Sequence, residues 1–206
     1  MPKLRTIGSV SAAALLAVFG AGESSAMADD TIKHPGDHPD YKVEIEPHGT
    51  LAFANLYGNG YDGSSTGFGA GGRFTIPVVQ NGFIPNINNN VGVTFGLDFV
   101  HYSCDYRFPG GGKYDCSANF LFFPVAMQWN FFVAERWSVA AEPGLYIYHG
   151  FFDDPCKGTG FSCDGPTRTS VQPAFYAVGR YHFNEKTSLT MRIGYPTFSV
   201  GVSFFM

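Results

Sequence analysis

The chain has 206 residues, a formal net charge of -4 and only 15% charged side chains, with 26 glycines, 21 phenylalanines and 11 tyrosines. Beyond the N-terminus no run of about 18 or more apolar residues occurs, which excludes a membrane-spanning helix there. The acidic balance lacks the basic footprint that a nucleic-acid partner requires. Abundant Gly with aromatic and β-branched residues favours many strands joined by tight turns over a helical bundle.

Residues 1–28 read as a secretory signal peptide. Lys3 and Arg5 supply the positive end, Ile7 to Ala21 the apolar segment, and Ala26-Met27-Ala28 the small residues for cleavage before Asp29, a cut after Ala26 being the alternative. The competing reading is a short structural helix. Without Lys3, Arg5 and Glu23 the remaining chain carries 11 basic and 16 acidic residues, a net of -5. Residues 29–42 are polar, hold two prolines and read as a flexible periplasmic leader. Within them His34, Asp37 and His38 could chelate a metal loosely, but a solvated tail is the favoured reading, and we expect neither metal nor cofactor.

From residue 43 to residue 206 the chain alternates with a period of 2, the signature of strands whose two faces meet different surroundings. The first predicted strand runs from Val43 to about Tyr57, with Ile45, Leu51, Phe53 and Tyr57 on one face and Glu44, Glu46, His48 and Thr50 on the other. A polar loop, Gly58 to Ser65, precedes the second strand, about Thr66 to Val78. Its Phe68, Ala70, Phe74 and Ile76 alternate with Gly67, Gly69, Gly71, Arg73 and Thr75. After a connection ending in Asn88-Asn89-Asn90 comes the clearest strand, Val91 to Ser103. Val91, Val93, Phe95, Leu97 and Phe99 form its apolar stripe and Asp98 sits in the middle of the other face. The fourth strand, about Ser117 to Phe131, sets Leu121, Phe123, Val125, Met127, Trp129 and Phe131 against Pro124, Ala126, Gln128 and Asn130.

The fifth, about Trp137 to Gly150, carries Glu142 on its polar face. The sixth, about Ser170 to Phe183, carries Arg180 and His182. The seventh, about Ser188 to Gly194, carries Arg192. The last offers Phe198, Val200, Val202, Phe204 and Met206 to its apolar side. Eight antiparallel strands joined by hairpins predict an all-β barrel. An apolar stripe this heavy on every strand is expected to face lipid, because eight strands enclose only enough space for side chains. The reverse assignment, a secreted soluble ligand-binding barrel, puts the same stripes inside.

Parity then places Glu44, Glu46, Asp98 and Glu142 in the lumen with Arg73, Arg180 and Arg192, and buried charges of opposite sign should pair. Arg73 is the expected partner of Asp98. A closed network would plug the lumen; the alternative is a proton or ion path. Trp129, Trp137, Tyr57, Tyr102, Tyr181, Phe183 and Tyr195 fall near strand ends, as interfacial girdle residues do. Cys104, Cys116, Cys156 and Cys163 form two local pairs, each bracketing a polar, Gly-containing loop. In an exported chain they favour the disulfides Cys104–Cys116 and Cys156–Cys163 among three possible pairings. With a periplasmic N-terminus both cysteine loops are extracellular. A zinc site is the lesser reading, since no C-x-x-C spacing occurs.

Together the signal peptide, the alternating strands and the terminal strand resemble the small outer-membrane barrels of the OmpA/OmpX type over about residues 43–206. In that family the last strand carries an assembly signal of alternating apolar residues; Phe198, Val200, Val202 and Phe204 match it, and Met206 takes the terminal position. The resemblance implies a bacterial outer-membrane location, contact with membrane lipids and lipopolysaccharide, and engagement of the barrel-assembly machinery. His101-Tyr102-Ser103 resembles the His-x-Ser of outer-membrane lipid A deacylases, which would make Ser103 a nucleophile activated by His101. The simpler reading is an interfacial His and Tyr at a strand end. The sequence is therefore expected to encode a non-enzymatic scaffold that displays disulfide-braced loops, and it does not name their partner.

Overall fold

The computed structural model describes residues 31–53, 61–63, 66–107, 113–152 and 168–206. Among the described residues nine strands follow one another: β1 (Glu44–Ala52), β2 (Tyr61–Gly63), β3 (Gly67–Val79), β4 (Asn89–Arg107), β5 (Lys113–Ala134), β6 (Trp137–Phe152), β7 (Arg168–Asn184), β8 (Thr187–Tyr195) and β9 (Thr197–Phe205). All pair antiparallel with their neighbours. Pairing of β9 with β1, from Phe205 opposite Glu44 to Thr197 opposite Ala52, closes eight of them into a barrel. The ninth, β2, lies in the stretch expected as a polar loop. It extends the β3 edge by pairing with β4 at Tyr61 opposite Tyr106 and Gly63 opposite Cys104.

Strand lengths correct one expectation. Residues on either side of the first cysteine pair are strand rather than loop, so β4 and β5 have 19 and 22 residues. At ~3.4 Å per residue and a tilt near 40–45°, 22 residues rise roughly 50–60 Å along the axis, about twice the ~25 Å apolar band of such barrels. The hairpin therefore continues past the band on the side away from β1's start. Cys104 and Cys116 are opposite each other in its register. Cys156 and Cys163, the signal peptide with its cleavage site, and Tyr57 lie outside the described residues.

The two faces fall as alternation requires. Phe53, Phe68, Ile76, Val93, Phe95, Leu97, Phe99, Phe123, Val125, Leu145, Phe175 and Met191 are exposed on the outside. Glu44, Glu46, His48, Arg73, Asp98, Glu142, Arg180 and Arg192 are buried inside. Val91 departs from the lipid-facing stripe and is only 2% exposed. Its ladder partners are Val79 and Trp129, where the 80–88 connection folds back and lays Phe83 on Trp129 with ring centroids 5.7 Å apart. Tyr102 departs from the girdle. It is inward-facing and 1% exposed, whereas Trp137, Phe183 and Tyr195 are exposed on the outside.

The end of the lumen away from β1's start holds Tyr102, Phe120, Phe122, Tyr146, Tyr148 and Tyr176 in one buried cluster. Room for these rings comes from facing positions with little side chain. Ala52, Ala118 and Ala174 belong to the cluster, and a Cβ on Gly67 would strike the Tyr102 ring and Val100. Tyr102 packs edge-on to Phe120 at 5.3 Å, and Phe122 lies 6.1 Å from Tyr146 and 6.2 Å from Tyr148.

Candidate functional site

Below the aromatic cluster the lumen is ionic. Arg73 on β3 makes a fork-to-fork pair with Asp98 on β4, Nη1 to Oδ1 at 2.6 Å and Nη2 to Oδ2 at 2.8 Å. Arg192 on β8 serves two carboxylates. It donates from Nη1 and Nη2 to Glu46 on β1 at 2.6 and 3.1 Å, and from Nε and Nη2 to Glu142 on β6 at 2.8 and 3.1 Å. Arg180 on β7 lies 3.0 Å from a Glu44 oxygen and donates to Asn130 Oδ1 at 2.5 Å. Bidentate, charge-assisted contacts of this kind are the strong ones.

Neutral residues join the Arg192 and Arg180 groups. Gln128 donates to Glu142 at 2.8 Å, Asn130 donates to Gln128 at 3.1 Å, and Ser203 donates to Glu44 at 2.7 Å. Every member sits on the inward parity of its strand, so the network follows directly from alternation. The structure brings together all seven charges expected in the lumen.

His48, Gln128, Asn130 and Ser203 complete the network and were not singled out by charge. His48 matters most, because four carboxylates meet only three guanidiniums. Both His48 ring nitrogens face acceptors. Nε2 is 2.8 Å from Asp98 Oδ1, and Nδ1 is 3.4 Å from Glu46 Oε1 and 3.3 Å from the Glu46 carbonyl oxygen. Donating to both at once would take the imidazolium form and supply a fourth cation.

The reach from His48 to Asp98 crosses a whole strand. In the ladder His48 faces Gly71, and Gly71 faces Asp98. A Cβ at Gly71 would collide with Asp98 Oδ1. The missing side chain is therefore what lets β1 and β4 touch over β3. The signal was present in the sequence as the run of glycines at alternate positions 67, 69 and 71.

Each residue of Asn88-Asn89-Asn90 has a separate role. Asn88 donates to the carbonyls of Asp37 at 2.6 Å and Thr31 at 3.3 Å. Asn89 donates to the carbonyls of Ile87 and Ile84 within the connection and accepts from Trp129 Nε1 at 2.9 Å. Asn90 accepts from Asn130 at 2.7 Å inside the lumen. Residues 31–42 are consequently seated on the barrel end. Their polar composition is matched by backbone acceptors that the asparagines can reach. Tyr41, in this segment, is buried against Phe205 at 4.9 Å. Burial first, and the Glu44 carboxylate second, push its phenol above the usual range. Among the described residues no group of three His, Cys, Asp or Glu is arranged to hold a metal ion.

The outer surface carries the second candidate. His101 and Ser103 share the outward face of β4 and are exposed. The His101 ring is held through Nδ1 by Asn119 Oδ1 on β5 at 2.8 Å. His149 on β6 is held the same way by Thr169 Oγ1 on β7 at 2.7 Å. These are two separate cross-strand pairs on the outer wall, and Asn119 faces exposed Phe151 rather than His149 in the β5–β6 ladder. The stretch Gly63-Ser64-Ser65-Thr66-Gly67 also spells G-x-S-x-G. Its Ser64 and Ser65 lie outside the described residues.

The closed eight-stranded antiparallel wall, apolar outside and ionic inside, defines the fold of the small outer-membrane barrels. Solved structures agree. The outer membrane protein OprG from Pseudomonas aeruginosa superposes with a TM-score of 0.61 at 13% identity, over 84% of this chain and 99% of that one. Ail, the attachment invasion locus protein of Yersinia pestis, superposes with a TM-score of 0.50 at 13% identity, over 81% and 99%. No family model and no curated protein sequence matches the chain.

Proposed function

We propose that this chain is a non-enzymatic barrel of the bacterial outer membrane, exported by a signal peptide over residues 1–28. Its lumen is plugged and its extracellular hairpins are braced by disulfides at Cys104–Cys116 and Cys156–Cys163. The carrying observation is the pairing of lumen charges: each of the four carboxylates has a cationic partner within hydrogen-bonding distance, and tightly packed rings fill the space beside them. An interior filled in this way serves to brace the wall. The work of the protein then falls to its outer surface, lipids and lipopolysaccharide around the apolar band, and to the extended β4–β5 hairpin. The last strand, Phe198 to Phe204, supports engagement of the barrel-assembly machinery.

Outer-membrane fractionation, heat-modifiable gel mobility and conductance in planar bilayers test this reading together. We expect recovery with the outer membrane, a mobility shift on boiling and no stable channel. A protein that stays soluble and monomeric without detergent, or that conducts steadily, overturns it. A lipid A deacylation assay on the parent and on Ser103→Ala tests the enzymatic alternative. Activity in the parent that is lost in the variant would establish Ser103 and His101 as the site.

A further inference from the structure

The end of the lumen where β1 begins is covered by the chain itself. Inward-facing Phe132, His182 and Phe205 each lie two residues along their strands from a member of the ionic network, Asn130, Arg180 and Ser203 respectively. They therefore form the next layer toward the periplasmic opening. His182 stacks on Phe205 at 5.5 Å and lies 6.1 Å from Phe132. Residues 31–42 extend this layer at both ends. His38 stacks on Phe132 at 4.7 Å with the rings 13° apart, and Tyr41 packs edge-on to Phe205. The result is an unbroken row of rings, His38, Phe132, His182, Phe205 and Tyr41.

The segment is also fastened by hydrogen bonds. His38 Nε2 contacts the Gln80 carbonyl at 3.0 Å, the Asn88 backbone N–H donates to the Ile32 carbonyl at 2.8 Å, and Lys42 N–H donates to the Met206 carbonyl at 2.6 Å. The His38 and Asn88 contacts lie outside the ladder that closes the barrel, while the Lys42–Met206 bond adjoins the end of its β1–β9 seam.

We propose that residues 31–42 are a releasable periplasmic lid, which keeps water from the ionic network and whose opening leaves the barrel folded. This deepens the closed-lumen reading and rests on it. Release separates rings and main-chain hydrogen bonds outside the barrel wall, a local opening of the kind that occurs far below global unfolding.

The test compares the full chain with His38→Ala/Tyr41→Ala in detergent micelles. Diethyl pyrocarbonate modification of His182 and trypsin cleavage after Lys42 are both followed by mass spectrometry, with His149 on the outer wall, outside the lid, as the normalising site. The variant should react at His182 and be cut after Lys42 roughly tenfold faster or more, while both proteins keep heat-modifiable mobility. Equal rates in two proteins that keep that mobility overturn the lid and leave the outer-membrane reading standing. Absence of heat-modifiable mobility in the parent would instead count against the outer-membrane reading. If the double variant fails to fold, Asn88→Ala replaces it. That change frees the Thr31 and Asp37 carbonyls without altering any ring, and the same rates decide the matter.

Discussion

Replacing Arg192 with methionine is the sharpest probe of the lumen. The change removes four contacts of 2.6 to 3.1 Å and leaves two buried carboxylates without their guanidinium. Glu46 keeps the more distant His48 and Ser203, at 3.4 Å each, and Glu142 keeps the neutral amide of Gln128. Removing one partner of a buried ion pair typically destabilises by about 3–5 kcal/mol. Because one guanidinium serves two acids here, Arg192→Met belongs at the top of that range. Arg73→Met should lose roughly 1 kcal/mol less or better, since Asp98 retains His48 at 2.8 Å. Replacing all three charges together, Arg192→Met with Glu46→Gln and Glu142→Gln, should recover to within about 1 kcal/mol of the parent, as uncharged replacements of buried ion clusters commonly do. Urea unfolding in phospholipid vesicles, read by tryptophan fluorescence and by gel mobility, measures all three. A loss under about 1 kcal/mol for Arg192→Met, or no recovery in the triple variant, would refute the account of the network.

Gly71→Val should push His48 away from Asp98 and destabilise by about 1–3 kcal/mol through overpacking, measured in the same unfolding assay. Leu97→Arg places a charge near the middle of the outward stripe and should destabilise by about 2–4 kcal/mol, again by urea unfolding in vesicles. Non-reducing peptide mapping should recover a Cys104–Cys116 cross-link. Opposed positions in an antiparallel pair are about 4.5–5.5 Å apart at Cα, within the span of a disulfide. Tyr41 should remain un-ionised when exposed tyrosines have titrated near pH 10, seen as a missing component in the ultraviolet difference titration against Tyr41→Phe. Its raised phenol means that the stability it lends the lid is complete below pH 10 and is lost as pH climbs through the higher value.

Alternation made most of the wall legible. Since side chains change face at every residue, identifying Phe95 as outward also fixed Asp98 as inward, and the same logic placed Arg180 and Arg192. Three features resisted it. His48 carries no formal charge in a count of the sequence, so its place in the network emerges only when Gly71 is seen to open the way to Asp98. The ring cluster around Phe120 and Phe122 reads as two inward aromatics against a lipid-facing set that is also aromatic, and only the facing Ala and Gly positions show that the rings fit. Residues 31–42 look solvated because their partners, Asn88 and Phe132, are about fifty and ninety residues away along the chain. Periodicity is a local signal and holds no record of such contacts.

The lumen charges have a consequence for how the barrel closes. Arg192 and Glu46 are 146 residues apart in sequence, and Arg180 and Glu44 are 136 apart. Neither pair can form until the strands nearest the C-terminus have met β1. A slip of one residue at that last seam would turn Glu44 and Glu46 toward lipid and strand Arg180 and Arg192 without partners. The ionic network thus acts as a register lock: it checks the final seam, rewards one alignment of β9 against β1, and penalises the neighbouring ones.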